Sequence, residues 1–163
     1  MVHYKTIKPQ GVLAEFVRLF WNLEAQVEGT SPFVHRALPD NCAELIFYCK
    51  GNLSISSLDG DEGTTFSSGI FGQAQKFRQF RCSHDFSLFG VYIYPYTLNL
   101  LFNVPPSNVC NEKVDTSTLL GTNGKILEEK IMLAENFAQR TQIVSDFFLQ
   151  RIRQIATYDQ AFT

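Results

Sequence analysis

Short apolar runs separated by turn-forming clusters fill the first part of the chain. Leu19–Ala25 is aromatic and apolar and breaks at Glu28-Gly29-Thr30-Ser31-Pro32. Phe33–Leu38 forms a second short run, ended by Pro39-Asp40-Asn41. Ala43–Cys49 is the strongest strand signal, and Lys50-Gly51-Asn52 closes it. Leu53–Ser57 alternates with period two before Asp59-Gly60-Asp61-Glu62-Gly63, and further strands are predicted at Thr65–Gln73, Phe77–Ser83 and Phe86–Tyr94. Several short strands spaced by turns predict a sandwich or barrel rather than parallel βαβ units.

After Pro95 the period changes. Thr97 is placed to cap a short helix through Leu98, Leu101 and Phe102, stopped by Pro105-Pro106. Asp115 is placed to cap another turn that ends at Gly121. From Lys125 apolar residues recur at Leu127, Ile131, Ala134 and Ala138, which is helical spacing. Asn136 and Gln139 resemble a capping box that opens a last helix, with Val144, Phe148, Ile152 and Ile155 on one face and Ile143 and Phe147 beside it. That apolar face is wide enough to cover the chain's own sheet and also to meet a partner.

The chain has 163 residues, 45% hydrophobic and 18% charged, which suits one domain with its own core. Fifteen Phe supply much of that core, so disulfides are not required. Cys42, Cys49, Cys82 and Cys110 form no C-x-x-C pair, and the odd offset of Cys42 and Cys49 along one strand points them to opposite faces. Free thiols are the expectation. Met1-Val2-His3-Tyr4-Lys5 lacks a signal-peptide pattern and no apolar run is long enough for a bilayer, so a cytoplasmic protein without membrane contact is expected. Net charge is −2 with no basic stripe, so these residues are not expected to hold DNA by themselves.

Catalytic signatures are missing: no nucleophile elbow, Walker loop or dinucleotide fingerprint occurs. His3, His35 and His84 do not pair at metal-ligand spacing, so neither a metal nor a cofactor is expected, and no catalytic residue is assigned. Glu44 stands out because it lies inside an apolar strand, where a charge needs a partner. It points outward, pairs with an arginine such as Arg36, Arg78 or Arg81, or contacts a ligand. Tyr92, Tyr94 and Tyr96 alternate along the strand that runs into Pro95, and they suit a pocket wall or a core edge. Trp21 reads as core. The candidate ligand-binding set is Glu44, Phe47, Gln73, Tyr92 and Tyr94, while Pro39, Asp40, Gly90 and Pro95 read as turn and close-packing residues.

A family resemblance covers nearly the whole chain. Pro39-Asp40 with Glu44-Leu45-Ile46-Phe47, then Gly72-Gln73, Gly90-Val91-Tyr92-Ile93-Tyr94-Pro95 and Leu100-Leu101-Phe102-Asn103-Val104-Pro105 resemble the N-terminal region of bacterial AraC-type regulators. Pro9 to Leu23 and the helices around Arg140 to Ile152 fit the same pattern, while Pro95-Tyr96-Thr97 departs from the Pro-Gly-Gly often found there. The resemblance implies an α+β domain, an antiparallel cupin-like β-barrel over residues 1–95 with a helical portion over 96–163 packed on it, one structural domain in all. It also implies a domain that binds a small-molecule effector or forms a homodimer, is not an enzyme, and reaches DNA only through a C-terminal helix-turn-helix domain. Thr163 falls about where that domain begins in the family, so the chain reads as its sensor half. The rival expectations are a stand-alone cupin-like binding protein or enzyme, such as a sugar isomerase or metal oxygenase, and a dimerisation module without a pocket.

Overall fold

The computed structural model describes residues 1–37, 41–50, 54–57, 67–73 and 78–161, with side chains except at 35–37, 54–57, 78–80 and 158–161. Among these residues the strands are β1 (Val2–Ile7), β2 (Val17–Ala25), β3 (Phe33–Ala37), β4 (Ala43–Lys50), β5 (Ser54–Ser57), β6 (Ser68–Phe71), β7 (Arg78–Cys82), β8 (Phe86–Ile93) and β9 (Lys113–Asp115). The helices are α1 (Pro95–Phe102), α2 (Thr116–Leu120), α3 (Thr122–Leu133) and α4 (Phe137–Ala161).

The strands form two sheets, one in the order β1-β2-β8-β4-β6-β9 and one in the order β3-β7-β5. Every strand pair is antiparallel. Among the described residues no strand joins the two sheets into a closed barrel; the small sheet packs on one face of the large one and the helices on the other. One short strand, β9, lies beyond residue 95 and pairs with β6, joining Gly69 to Asp115 and Phe71 to Lys113.

The six-stranded sheet is covered on both faces, which explains the unbroken apolar run of β4. Leu45 and Phe47 turn one way, into a core shared with Phe89, Val91 and Ile93 of β8 and with Ile131, Val144 and Phe148 of the helices. Ile46 and Tyr48 turn the other way, toward the small sheet, with Trp21, Phe86 and Leu88. Phe33 of β3 meets Phe86 with ring centroids 5.1 Å apart, and Cys82 of β7 joins the same cluster.

Local chemistry sets the element ends. Tyr94, not Thr97, is the N-cap of α1, and Pro95 occupies its first turn, where no amide hydrogen is needed. The Thr97 hydroxyl donates instead to the Phe16 carbonyl at 2.7 Å. Asn103 ends α1 in the left-handed region (φ 55°), as a C-capping asparagine can. α3 stops at Leu133, and Ala138 belongs to the next helix. Asn136 Oδ1 accepts the Gln139 amide at 2.9 Å, while the Gln139 side chain returns to the Glu135 amide at 2.9 Å. The expected capping box is present with its return arm shifted by one residue.

α4 is held across the fold by Val144 and Phe148, both fully buried, and by Arg151. The Arg151 guanidinium lies over Phe102 and Phe147 at 5.4 and 5.1 Å and donates to the Leu101 carbonyl at 2.7 Å. α3 is tied to β6 by the Ser68 hydroxyl, which donates to Glu128 at 2.5 Å. Ile143, Phe147, Leu149, Ile152 and Ile155 are half-buried against the chain's own core. All four cysteines are free, with Cys42 buried and Cys49 half-buried. No helix among the described residues is long and apolar enough to cross a membrane.

Candidate functional site

Four adjacent strands of the large sheet bring polar and aromatic groups together on the face toward the small sheet. Glu44 of β4 lies opposite Tyr92 of β8 and Phe71 of β6. One step along the sheet, Trp21 of β2 lies opposite Gly90 of β8. The Trp21 ring stands 6.3 Å from Tyr92 on one side and 6.3 Å from Tyr4 of β1 on the other. The result is a row of three aromatic rings with a half-buried carboxylate at its end.

Gly90 makes that row possible. A Cβ there would stand 2.0 Å from Trp21 Cε2, 2.2 Å from Cζ2 and 2.4 Å from Nε1, all far inside contact distance. Only a residue without a side chain lets the indole lie flat on the strand. In that position Trp21 is 6% exposed and its Nε1–H has no hydrogen-bond acceptor. An unmet buried donor costs roughly 1–3 kcal/mol, so it is a place where a ligand or water acceptor would be favoured.

Burial and the nearby carboxylate together shape the electrostatics. Burial first, and the Glu44 charge second, push the Tyr48 phenol well above the ordinary tyrosine range. The same two causes raise Tyr4. Both phenols therefore stay neutral donors over the physiological range. Arg18 closes the edge, with its guanidinium 5.6 Å from the Tyr92 ring centre and Nη1 donating to Cys42 Sγ at 3.3 Å.

The structure divides the predicted set. Glu44 and Tyr92 sit together in this row. Gln73 lies two residues past Phe71, the cross-strand partner of Glu44, and its Nε2 donates to Asn41 Oδ1 at 3.4 Å. Phe47 is on the opposite face, fully buried under the helices and stacked on Phe89 at 6.0 Å. Three residues along a strand reverse the face, so Phe47 and Glu44 cannot line one pocket. Tyr94 and Tyr96 do not continue the face of Tyr92, because β8 ends at Ile93 and the helix begins at Pro95. Their rings stack on each other at 5.6 Å, and the Tyr96 hydroxyl donates to the Glu15 carbonyl.

Gly72 has a packing reason of its own. A Cβ there would stand 1.7 Å from the Val109 carbonyl oxygen, and its amide donates to the Glu112 carbonyl at 3.0 Å. Pro39, Asp40 and Phe77 lie outside the described residues, as do the side chains of Arg36, Arg78 and His35.

Sequence reasoning reads Trp21 as core, and it is buried, 6% exposed; its seat over Gly90 needs the pairing register to be seen. Tyr4 is the participant in the row that it misses. Tyr4 belongs to β1, whose alternation Val2, Tyr4, Thr6 is legible in the sequence. Arg140 was passed over, although it stands four residues before Val144 and eight before Phe148, on the buried stripe of α4. It is 8% exposed, on the helix-covered face of the sheet rather than in the aromatic row.

Partial structural likenesses accompany this geometry. The cupin_2 domain of an XRE-family transcriptional regulator from Enterobacter cloacae is 16% identical, covering 58% of this chain and 97% of that one with a TM-score of 0.44. A protein from Neisseria meningitidis is 13% identical over 56% of this chain and 82% of its own, with a TM-score of 0.41. A conserved protein of unknown function from Streptococcus pyogenes is 8% identical over 58% of this chain and 75% of its own, with a TM-score of 0.42. No curated protein matches the chain in sequence. A family model described as a domain of unknown function (DUF6597) matches residues 5–115, most of the chain, and the chain belongs to that family.

Proposed function

We propose that this domain is the sensing part of a transcription regulator and takes a small polar molecule at the row of Tyr4, Trp21, Tyr92 and Glu44. The observation that carries the reading is the buried Trp21 Nε1–H, which lacks an acceptor and is held over Gly90 in the row that ends at the Glu44 carboxylate. Aromatic faces bind the apolar side of a sugar-like ring or a cationic amine, and an ionised carboxylate accepts hydroxyl or ammonium donors. A hydroxylated or amine-bearing metabolite satisfies both sides of the site. The row binds and orients its ligand and performs no reaction on it. In the regulator reading suggested by the AraC-type resemblance, DNA is contacted by a separate helix-turn-helix domain. The effector acts there through unequal affinity for two arrangements of a homodimer.

The test uses the only tryptophan as its reporter. Sugars, polyols and biogenic amines are screened by thermal shift and by Trp21 fluorescence. A true effector raises the melting temperature in proportion to the logarithm of its concentration above Kd and changes the emission saturably. Glu44→Gln and Tyr92→Ala are expected to weaken it about tenfold or more, equivalent to about 1.4 kcal/mol. If no compound stabilises the wild type, or if both variants respond as the wild type does, the proposal is wrong.

A further inference from the structure

A second site lies on the other face of the large sheet. A cleft of about 420 Å³ opens where the first turn of α4 meets β1, β2, β4 and the start of β8, and Arg140 forms its floor. His3, Glu24, Ser87 and Lys50 line it in one row across four strands, and Asp85 lines it as well. The Arg140 guanidinium is 8% exposed. Nη1 donates to Asn22 Oδ1 at 3.0 Å and to the Ser87 hydroxyl at 3.4 Å, while Nε has no acceptor. Both partners are neutral, and among the described residues no carboxylate comes within ion-pairing distance. The guanidinium is thus buried with part of its donor fork unused.

We propose that the Arg140 cleft binds the carboxylate of a small organic acid. The guanidinium fork matches a carboxylate in plane and in charge, and Nε with an Nη is the usual pair for a two-point contact. The rim decides between anions. Asp85 is anchored by the Val27 amide at 2.9 Å and Glu24 by the Asn22 amide group at 3.2 Å, so both carboxylates stay beside the cleft. They repel a dianion such as phosphate more than a monoanion. Cys49, half-buried on the same face, gives the organic body of the acid a less polar wall. Arg140 belongs to α4 and its oxygen partners belong to β2 and β8, so an acid bound here fastens the last helix to the sheet.

Acetate and propionate serve as probes, titrated into the full chain at constant ionic strength against chloride and phosphate. Binding is followed by calorimetry and by melting temperature. The wild type is expected to bind the monocarboxylates saturably and more tightly than phosphate. Arg140→Met is expected to lose this by about tenfold or more while folding at least as stably as the acid-free wild type, because it removes an uncompensated buried charge. Lys50→Ala, an exposed change that leaves the core intact, is expected to weaken binding several-fold. Absence of saturable carboxylate binding to the wild type overturns the proposal, as does tighter binding of phosphate. Equal binding by wild type and a folded Arg140→Met also overturns it. If Arg140→Met fails to fold, unchanged carboxylate affinity in Lys50→Ala together with Ser87→Ala decides against the cleft.

Discussion

Gly90→Ala puts the aromatic row to a quantitative test. The new methyl would stand 2.0–2.4 Å from three atoms of the Trp21 indole, about 1.5 Å inside normal carbon contact. The indole is rigid and has rings 6.3 Å away on both sides, so it cannot turn aside cheaply. Overpacking of this kind costs roughly 1–3 kcal/mol, and the shortness of the contact favours the upper end. For a chain of this size each kcal/mol lowers the melting temperature by roughly 2–4 °C, so the variant should melt several degrees early. Its tryptophan emission should also move to longer wavelength as the ring leaves its buried seat. The same substitution in a Trp21→Phe background should cost less, with a coupling of about 0.5–3 kcal/mol in the double-mutant cycle. Strict additivity of the two changes would refute the argument, because the cost would then come from the strand and not from the indole.

The helix cap and the buried phenols give two further expectations. Asn136→Ala removes the acceptor of the Gln139 amide, and a loss of about 1 kcal/mol is expected in urea unfolding, since that is the usual worth of an N-cap. Alkaline stability follows from Tyr48, whose pKa is raised by burial first and Glu44 second. A group with a raised folded pKa contributes fully below its unfolded value near 10 and loses that contribution as pH climbs toward the folded value. Stability should therefore fall by roughly 1.4 kcal/mol per pH unit above about pH 10, and Tyr48→Phe should flatten that slope in chemical denaturation at several pH values.

The apolar pattern by itself determined most of the elements. Strands Phe33–Ala37, Ala43–Lys50 and Phe86–Ile93 and the helices from Thr122 and Phe137 all lie within or close to the predicted runs. Periodicity is local, so it is legible without a fold. β9 was not legible, because three residues are too short for a period and their strand character comes from pairing with β6. The exact start of α1 was misplaced because a proline in the first turn outweighed a threonine cap.

The site divides in the same way. Glu44 was legible as a charge inside an apolar strand, and Tyr92 as the first of three alternating tyrosines that run into Pro95. Phe47 lies on the opposite face by period two, and Tyr94 lies past the end of β8, so the structure does not bring either into the row. Trp21 over Gly90 was not readable, since only the β2–β8 register sets one against the other. The same holds for Arg140, which is 118 residues from Asn22 in sequence yet 3.0 Å from it in space. Sequence alone determined which positions are apolar and which elements they form, because those depend on neighbours along the chain. Only the tertiary structure decided which polar groups are buried without a partner, because burial and pairing depend on neighbours across it.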